Sequence, residues 1–267
     1  MTEIGTVSIG LPLCSAAGYP RTMEPSFVGP GQRAVVTGAG SGIGRAIAVA
    51  LARAGLHVCL VGRDAAKLRL VAGEIETGAT VVAADIATAS GLAAVAQAAS
   101  PALHVLVHSA GAYLRGRLEH LTAAEWQALN AVNLQAPILL TSACLPALRA
   151  VSGQVVVINS SAGLQPGAGV GAYAASKHAL KAATDALRQE VNGEGIRVLS
   201  VFPGRTDTPM QAAVLAAEGR EAGPGTLMRP EDVAHMVVSA LSVPRTAEVT
   251  DIVMRPMCPM RPLPAAR

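Results

Sequence analysis

The feature that most constrains this chain is a repeated change in its hydrophobic period. Short aliphatic runs, too brief for helices, alternate with longer stretches whose apolar positions recur every three to four residues. "RAVVTG" (33–38) is the first run, and "GIGRAIAVALARAG" (42–55) is a helix that Gly55 ends. "HVCLVG" (57–62), "ATVVAAD" (79–85), "LHVLVHSAG" (103–111), "GQVVVINSS" (153–161), "IRVLSVFPG" (196–204) and "VTDIVM" (249–254) read as further strands. Between them the pattern predicts helices over 64–78 with Asp64 as N-cap, 88–99, two within 122–150, 172–192, and one started by Pro230. Continuous apolar strands alternating with helices make a parallel sheet covered on both faces. The expected fold class is α/β: one Rossmann-type, doubly wound domain of about seven parallel strands, spanning residues 32–256.

Residues 1–31 carry Pro12, Pro20, Pro25 and Pro30 without periodicity and read as an irregular tail; 257–267 form a short C-terminal one. Residues 1–22 are expected to be dispensable, with Met23 as a possible alternative start. Glu3 and Pro12 make the apolar stretch near the N-terminus a poor signal peptide, so a cytoplasmic location is expected. No apolar run approaches the roughly 18 residues of a membrane span. A net charge of +3 without a basic run, and 2% aromatic residues, argue against nucleic acid as a partner. Cys14, Cys59, Cys144 and Cys258 lie far apart and read as reduced thiols, two of them in the core. Six scattered histidines give no metal site.

In doubly wound folds ligands sit at the carboxyl ends of the strands. "TGAGSGIG" (37–44) occupies that position after the first strand. Its glycines permit a tight turn and close backbone approach, and the helix that follows attracts phosphate. The spacing of Gly38, Gly42 and Gly44 is G-x-x-x-G-x-G. Farther along, "GAYAASKHAL" (171–180) holds one of three tyrosines and one of three lysines. A Tyr-x-x-x-Lys pair arises by chance about 0.03 times in such a chain, and on a helix the two side chains share a face. A serine hydrolase is excluded at Ser41, where Ala39 and Ile43 replace the glycines of a G-x-S-x-G elbow.

Taken in order, these motifs resemble the short-chain dehydrogenase/reductase family, in its single-domain form, over about residues 32–256. "TGAGSGIG" resembles the family's cofactor loop, placing Gly38, Ser41, Gly42, Ile43 and Gly44 at the dinucleotide. "AADIA" resembles its third-strand segment, with Asp85 and Ile86 at the adenine side. "HSAG" is similar to the family's N-A-G motif, with Ser109 where Asn is usual, followed by Ala110 and Gly111. "NAVN" supplies Asn133, "YAASK" supplies Tyr173 and Lys177, and "FPGRTDTPM" supplies Pro203, Gly204, Thr206 and Thr208 at the nicotinamide side. "INSSAG" offers two serines; aligning on Gly163, and an interval of thirteen residues to Tyr173, select Ser160 over Ser161.

The resemblance implies an oxidoreductase that interconverts a small-molecule carbonyl and a secondary alcohol. Tyr173 would be the acid/base, its phenol lowered from a pKa near 10 by the Lys177 ammonium. Ser160 would hydrogen-bond the substrate oxygen, Lys177 would bind the nicotinamide ribose, and Asn133 would hold a water linking Lys177 to solvent. NADP is the expected cofactor, with NAD possible: "LVGRD" ends the second strand with Gly62 and Arg63, leaving room and charge for a 2′-phosphate. Arg45 could add positive potential, and Asp64 is either the cap of the next helix or a ribose ligand. The segment 209–228, apolar in its first half, would cover the pocket and hints at an apolar substrate. A homodimer or homotetramer through the helices near 122–150 and 172–192 is the family's habit. A non-catalytic dinucleotide sensor is the competing reading, although it has no need of the Ser/Tyr/Lys set.

Overall fold

The computed structural model describes residues 28–258; most of the expected tails, 1–31 and 257–267, with Cys14 and Met23, lies outside the described residues. Seven parallel strands form one sheet in the order β3-β2-β1-β4-β5-β6-β7. They are β1 (Arg33–Thr37), β2 (His57–Gly62), β3 (Ala79–Ala83), β4 (Val105–His108), β5 (Gln154–Ile158), β6 (Arg197–Pro203) and β7 (Asp251–Met254). The strand order reverses between β1 and β4, which opens a crevice at their carboxyl ends.

Strand side chains alternate between the two faces, and both faces are apolar. Val36, Leu60, Val107 and Val156 point to one layer, made by α1 (Gly42–Arg53), α2 (Ala65–Gly73) and α8 (Pro230–Leu241). Val35, Val61, Leu106 and Val157 point to the other, made by α3 (Ala89–Ala99), α5 (Ala136–Arg149) and α6 (Gly171–Val191). Cys59 and Cys144 are free and buried in this second core, as expected, while Cys258 is exposed. Burial pushes the Cys59 thiol up to about 11 and that of Cys144 to about 12, so both stay protonated.

Two elements differ from the sequence pattern. The segment expected only to cover the pocket contains a helix, α7 (Pro209–Glu218), capped by Thr208 and ended by left-handed Gly219. The two helices within 122–150 are α4 (Ala123–Asn130) and α5, joined without a break by a π-turn at Ala131–Gln135. Pro137 explains this turn: it has no N–H to offer the Asn133 carbonyl four residues back, so the α-helical ladder cannot run through. The combined run Ala123–Arg149 is long and apolar enough to span a bilayer by composition. Its Leu140, Cys144 and Leu148 are nevertheless packed on the sheet, and its Arg149 pairs with Glu194 at 2.5 Å.

Candidate active site

The crevice above β1 and β4 is a cavity of about 720 Å³. It gathers every residue that the motifs placed at a site, from Gly38 in the first turn to Thr208 before α7, with one exception. Asn133 lies one layer behind the wall and is fully buried.

At the β1 end the wall is backbone. Gly42 has a φ of 53°, in the left-handed region that only glycine adopts without strain. A Cβ on Gly38 would lie 2.8 Å from the backbone of Ala110, and one on Gly44 would overlap the Gly38 carbonyl. The Thr37 hydroxyl binds this turn to the next strand end: it donates to the Val107 carbonyl and accepts the amides of Ser109 and Ala110, at 3.1–3.2 Å. The Ser41 side chain makes no capping bond, so the N-terminus of α1 faces the cavity with its donors unmasked by side chains. This cradle fits the diphosphate of a dinucleotide.

Beyond it, β2 ends in Gly62 and Arg63 on the cavity wall, joined there by Lys67. Asp64 is the N-cap of α2, accepting the amides of Ala66 at 3.0 Å and Lys67 at 3.1 Å. One carboxylate oxygen is therefore committed to the helix, while the other lies 3.9 Å from the Lys67 ammonium on the cavity wall. Arg45 does not reach the cavity, contrary to expectation. Its guanidinium pairs with Glu74 at 2.5 Å and approaches Glu231 at 4.0 Å. Asp85 lies on the wall and accepts the Ala87 amide at 3.0 Å, with Ile86 buried beside it.

At the β5–α6 end the wall is made of side chains. Tyr173 and Lys177 lie one turn apart on α6, both buried. The Lys177 ammonium donates to the Ile158 carbonyl at 3.1 Å. Asn159 fixes both neighbours: its Nδ2 donates to the Lys177 carbonyl at 3.1 Å, and its Oδ1 accepts the Ser160 amide at 2.8 Å. Gly163 is needed here, because a Cβ would come within 2.5 Å of Asn159 Oδ1. Asn133 forms a second bracket. It exchanges two hydrogen bonds with the Ala112 backbone, at 2.8 and 2.9 Å, and donates to Ser176 Oγ at 3.1 Å. Its side chain thus ties the loop after β4 to α6. The Tyr173 ring is held edge-to-face by Tyr113, centroids 5.1 Å apart.

The electrostatics correct the sequence argument. Burial raises the Tyr173 phenol above its ordinary value, with a hydrogen bond to Ser160 pulling down and Tyr113 pushing up. Burial lowers the Lys177 ammonium to about 8. Lys177 therefore does not depress the phenol; exclusion of water drives both groups toward their neutral forms. His108 is buried, bonded through Nε2 to Thr141 Oγ1 at 2.7 Å, and held down to about 3, which makes it a neutral packing residue. Lys181, one turn beyond Lys177 on α6, pairs with Asp185 at 2.6 Å.

Thr37, Lys67, Tyr113 and Asn159 escaped the sequence reading. Thr37 and Asn159 stood inside quoted motifs, next to residues with assigned roles, and could have been found there. Arg115, Arg205, Glu218 and Arg220 also reach the cavity, so its covering side is charged as well as apolar.

The doubly wound sheet, the glycine cradle and the buried Tyr/Lys pair define a dinucleotide-dependent oxidoreductase. The short chain dehydrogenase family model matches residues 32–219. The chain belongs to this family. An uncharacterized oxidoreductase of Staphylococcus epidermidis is 33% identical over 228 residues, covering 84% of this chain and 96% of that one. A putative NAD(P) dependent gluconate 5-dehydrogenase from Beutenbergia cavernae, crystallised with NADP, is 37% identical with a TM-score of 0.78, over 85% and 96% of the two chains. L-Sorbose reductase from Gluconobacter frateurii, complexed with NADPH and L-sorbose, is 26% identical with a TM-score of 0.78, over 86% and 97%.

Proposed function

We propose that this oxidoreductase interconverts a carbonyl and a secondary alcohol and prefers NADP(H) to NAD(H). The observation that carries the reading is the meeting, on one cavity, of a glycine cradle with a hydrogen-bonded Tyr173–Ser160 pair backed by buried Lys177. The cradle at Gly38, Ser41, Gly42, Ile43 and Gly44 would hold the diphosphate, Asp85 and Ile86 the adenine. Ser109, Ala110, Gly111, Pro203, Gly204, Thr206 and Thr208 would flank the nicotinamide. When bound, that group supplies or accepts the hydride at the substrate carbon.

In reduction, Tyr173 donates its phenolic proton to the carbonyl oxygen as negative charge develops there; in oxidation the same oxygen takes the proton back. A phenol is protonated at neutral pH and burial keeps it so, which leaves it ready to supply the proton that reduction consumes. Ser160 hydrogen-bonds the substrate oxygen and the Tyr173 hydroxyl together. Lys177, anchored on the Ile158 carbonyl, orients the nicotinamide ribose. Asn133 positions the loop after β4 and α6 through its side chain, beside the Lys177 that a water relay would serve.

The cofactor preference is supported by the end of β2. Arg63 and Lys67 offer two cations for a 2′-phosphate; Asp64, also on the wall, has one oxygen held by the amides of α2 and the other 3.9 Å from the Lys67 ammonium, which leaves the three with a net positive charge. Relatives crystallised with NADP or NADPH are compatible with this preference, and another is crystallised with NADH, so the end of β2 carries it. Exposed Ile138 and Leu139 on α5 support a homodimer or homotetramer, and the free thiols of Cys59 and Cys144 support a cytoplasmic location. The test is reduced-nicotinamide absorbance with a panel of ketones and aldehydes. Consumption of NADPH should be faster than that of NADH in kcat/KM. Equal or better use of NADH would overturn the preference, and no turnover with either would overturn the reaction.

A further inference from the structure

Arg115, Arg205 and Glu218 form one ion-pair cluster on the wall of the catalytic cavity, and Arg220 lines the same wall. None has a part in the chemistry above. Arg115 follows Tyr113, whose ring rests on Tyr173, so the cluster belongs to the reacting end of the cavity. Its position is fixed by the next residue, since the Gly116 amide donates to the Gly169 carbonyl at 2.9 Å. Arg205 is held through its backbone: its carbonyl accepts the Met228 amide at 3.0 Å, and Thr206 bridges to Met228.

Glu218 is the last residue of α7, where the helix dipole disfavours a negative charge, and its side chain is only 4% exposed. It accepts from Arg115 Nη1 at 3.3 Å and from Arg205 Nη2 at 2.9 and 2.8 Å. One carboxylate against the guanidiniums of Arg115 and Arg205 leaves this cluster with an excess of one positive charge. The unsatisfied atoms have the same sign. Arg205 Nη1 and Gln211 Nε2, both on residues of this wall, are buried donors with no acceptor among the described residues. A buried donor without a partner is costly, and here the missing partner is an acceptor in a positive field.

We infer that the substrate of this oxidoreductase is an oxyanion-bearing carbonyl compound, with its anionic group held by Arg115 and Arg205 while its carbonyl faces Tyr173. The inference rests on the carbonyl/alcohol reading of the cavity. Guanidinium forks match carboxylate and phosphate alike, so the shared chemistry is that of an oxyanion. Glu218 tempers the site, holding the two arginines in place while competing for their donors.

Two measurements test this. In the first, reduction of 4-oxopentanoate is compared with that of its methyl ester. The acid should be preferred by about tenfold or more in kcat/KM, as expected for one charge-assisted hydrogen bond. Arg115→Gln should bring the ratio to within about threefold of one, through KM for the acid. Arg115→Lys, which keeps the charge, should retain part of the preference. Glu218→Gln should raise the ratio, because a competing carboxylate is gone. A group that merely latched α7 would weaken acid and ester equally in all three variants, and that result overturns the inference, as does a wild-type preference for the ester. The second measurement does not depend on turnover. Thermal-shift titrations with pentanoate, n-butyl phosphate and pentanamide should show both anions binding more tightly than the amide, by about tenfold, and the difference should vanish in Arg115→Gln. The stronger of the two anions identifies the group. Equal binding of all three sinks the inference even if the ketones are reduced.

Discussion

At the β1–α1 end of the cavity the wall is backbone, whereas at the β5–α6 end it is side chains held by other side chains. The first end works by what is missing: Gly38, Gly42 and Gly44 leave room for a ligand and expose amides. The second works by what is enforced: Asn159 and Asn133 lock Ser160 and α6 into place, and burial sets the charge of Tyr173 and Lys177. Substitutions at the two ends should therefore fail differently. At the backbone end they fail by steric exclusion of the cofactor. At the side-chain end the cofactor still binds and the chemistry is lost.

The sharpest attempt to break this contrast is Tyr173→Phe. Turnover should fall by at least about 10²-fold, in the range of a lost general acid, while cofactor affinity measured by fluorescence titration stays near wild type. Loss of cofactor binding would erase the distinction between the ends. Gly44→Ala is the converse. Its Cβ overlaps the Gly38 carbonyl, so the turn must shift, at about 1–3 kcal/mol of stability by denaturant unfolding. Cofactor titration should then reveal the larger defect.

Lys177→Met separates function from stability. The native ammonium sits at about 8 against 10.5 in the open chain, so burial of the charge costs about 3 kcal/mol at neutral pH. Removing the hydrogen bond to the Ile158 carbonyl gives back about 1 kcal/mol, leaving an inactive variant more stable by about 2 kcal/mol at pH 7. The sign follows from proton counts: between pH 8 and 10.5 the unfolded chain binds the proton and the native one does not. Wild-type stability therefore recovers as pH rises through that window, and the advantage of the variant fades. An advantage constant from pH 7 to 10.5 would show that Lys177 is not desolvated. The smallest expected effect is Arg63→Ala at the cofactor end. It should lower the NADPH over NADH ratio by roughly tenfold, the contribution of one charged hydrogen bond, with kcat nearly unchanged.

The sheet could be read from the sequence because its strands are buried on both faces and its helices on one, and these periods survive in the residue string. The glycine turn could be read for a related reason: missing side chains are visible as letters. Other features were hidden for identifiable reasons. Helix α7 buries only Val214 and Leu215, too little to mark a period. The spacing of Tyr173 and Lys177 announces that they are neighbours but says nothing of solvent, so the sequence argument had the sign of the phenol's shift wrong. The Arg115–Glu218 contact joins residues 103 positions apart, one in a loop and one at the end of α7, where no local pattern reaches.

The π-turn between α4 and α5 has a consequence for insertion and deletion. A π-turn holds one more residue than the α-helix it interrupts, so it acts as a phase shifter between the halves of one rod. Upstream of it Leu129 points to the Tyr173 cluster, and downstream Leu140, Cys144 and Leu148 point to the sheet. Losing one residue from 131–135 would remove that wider turn while Pro137 still breaks the α-helical ladder, so the two halves could no longer keep both faces in register. The stretch thus tolerates exchange of letters at its exposed positions far better than any change in their number.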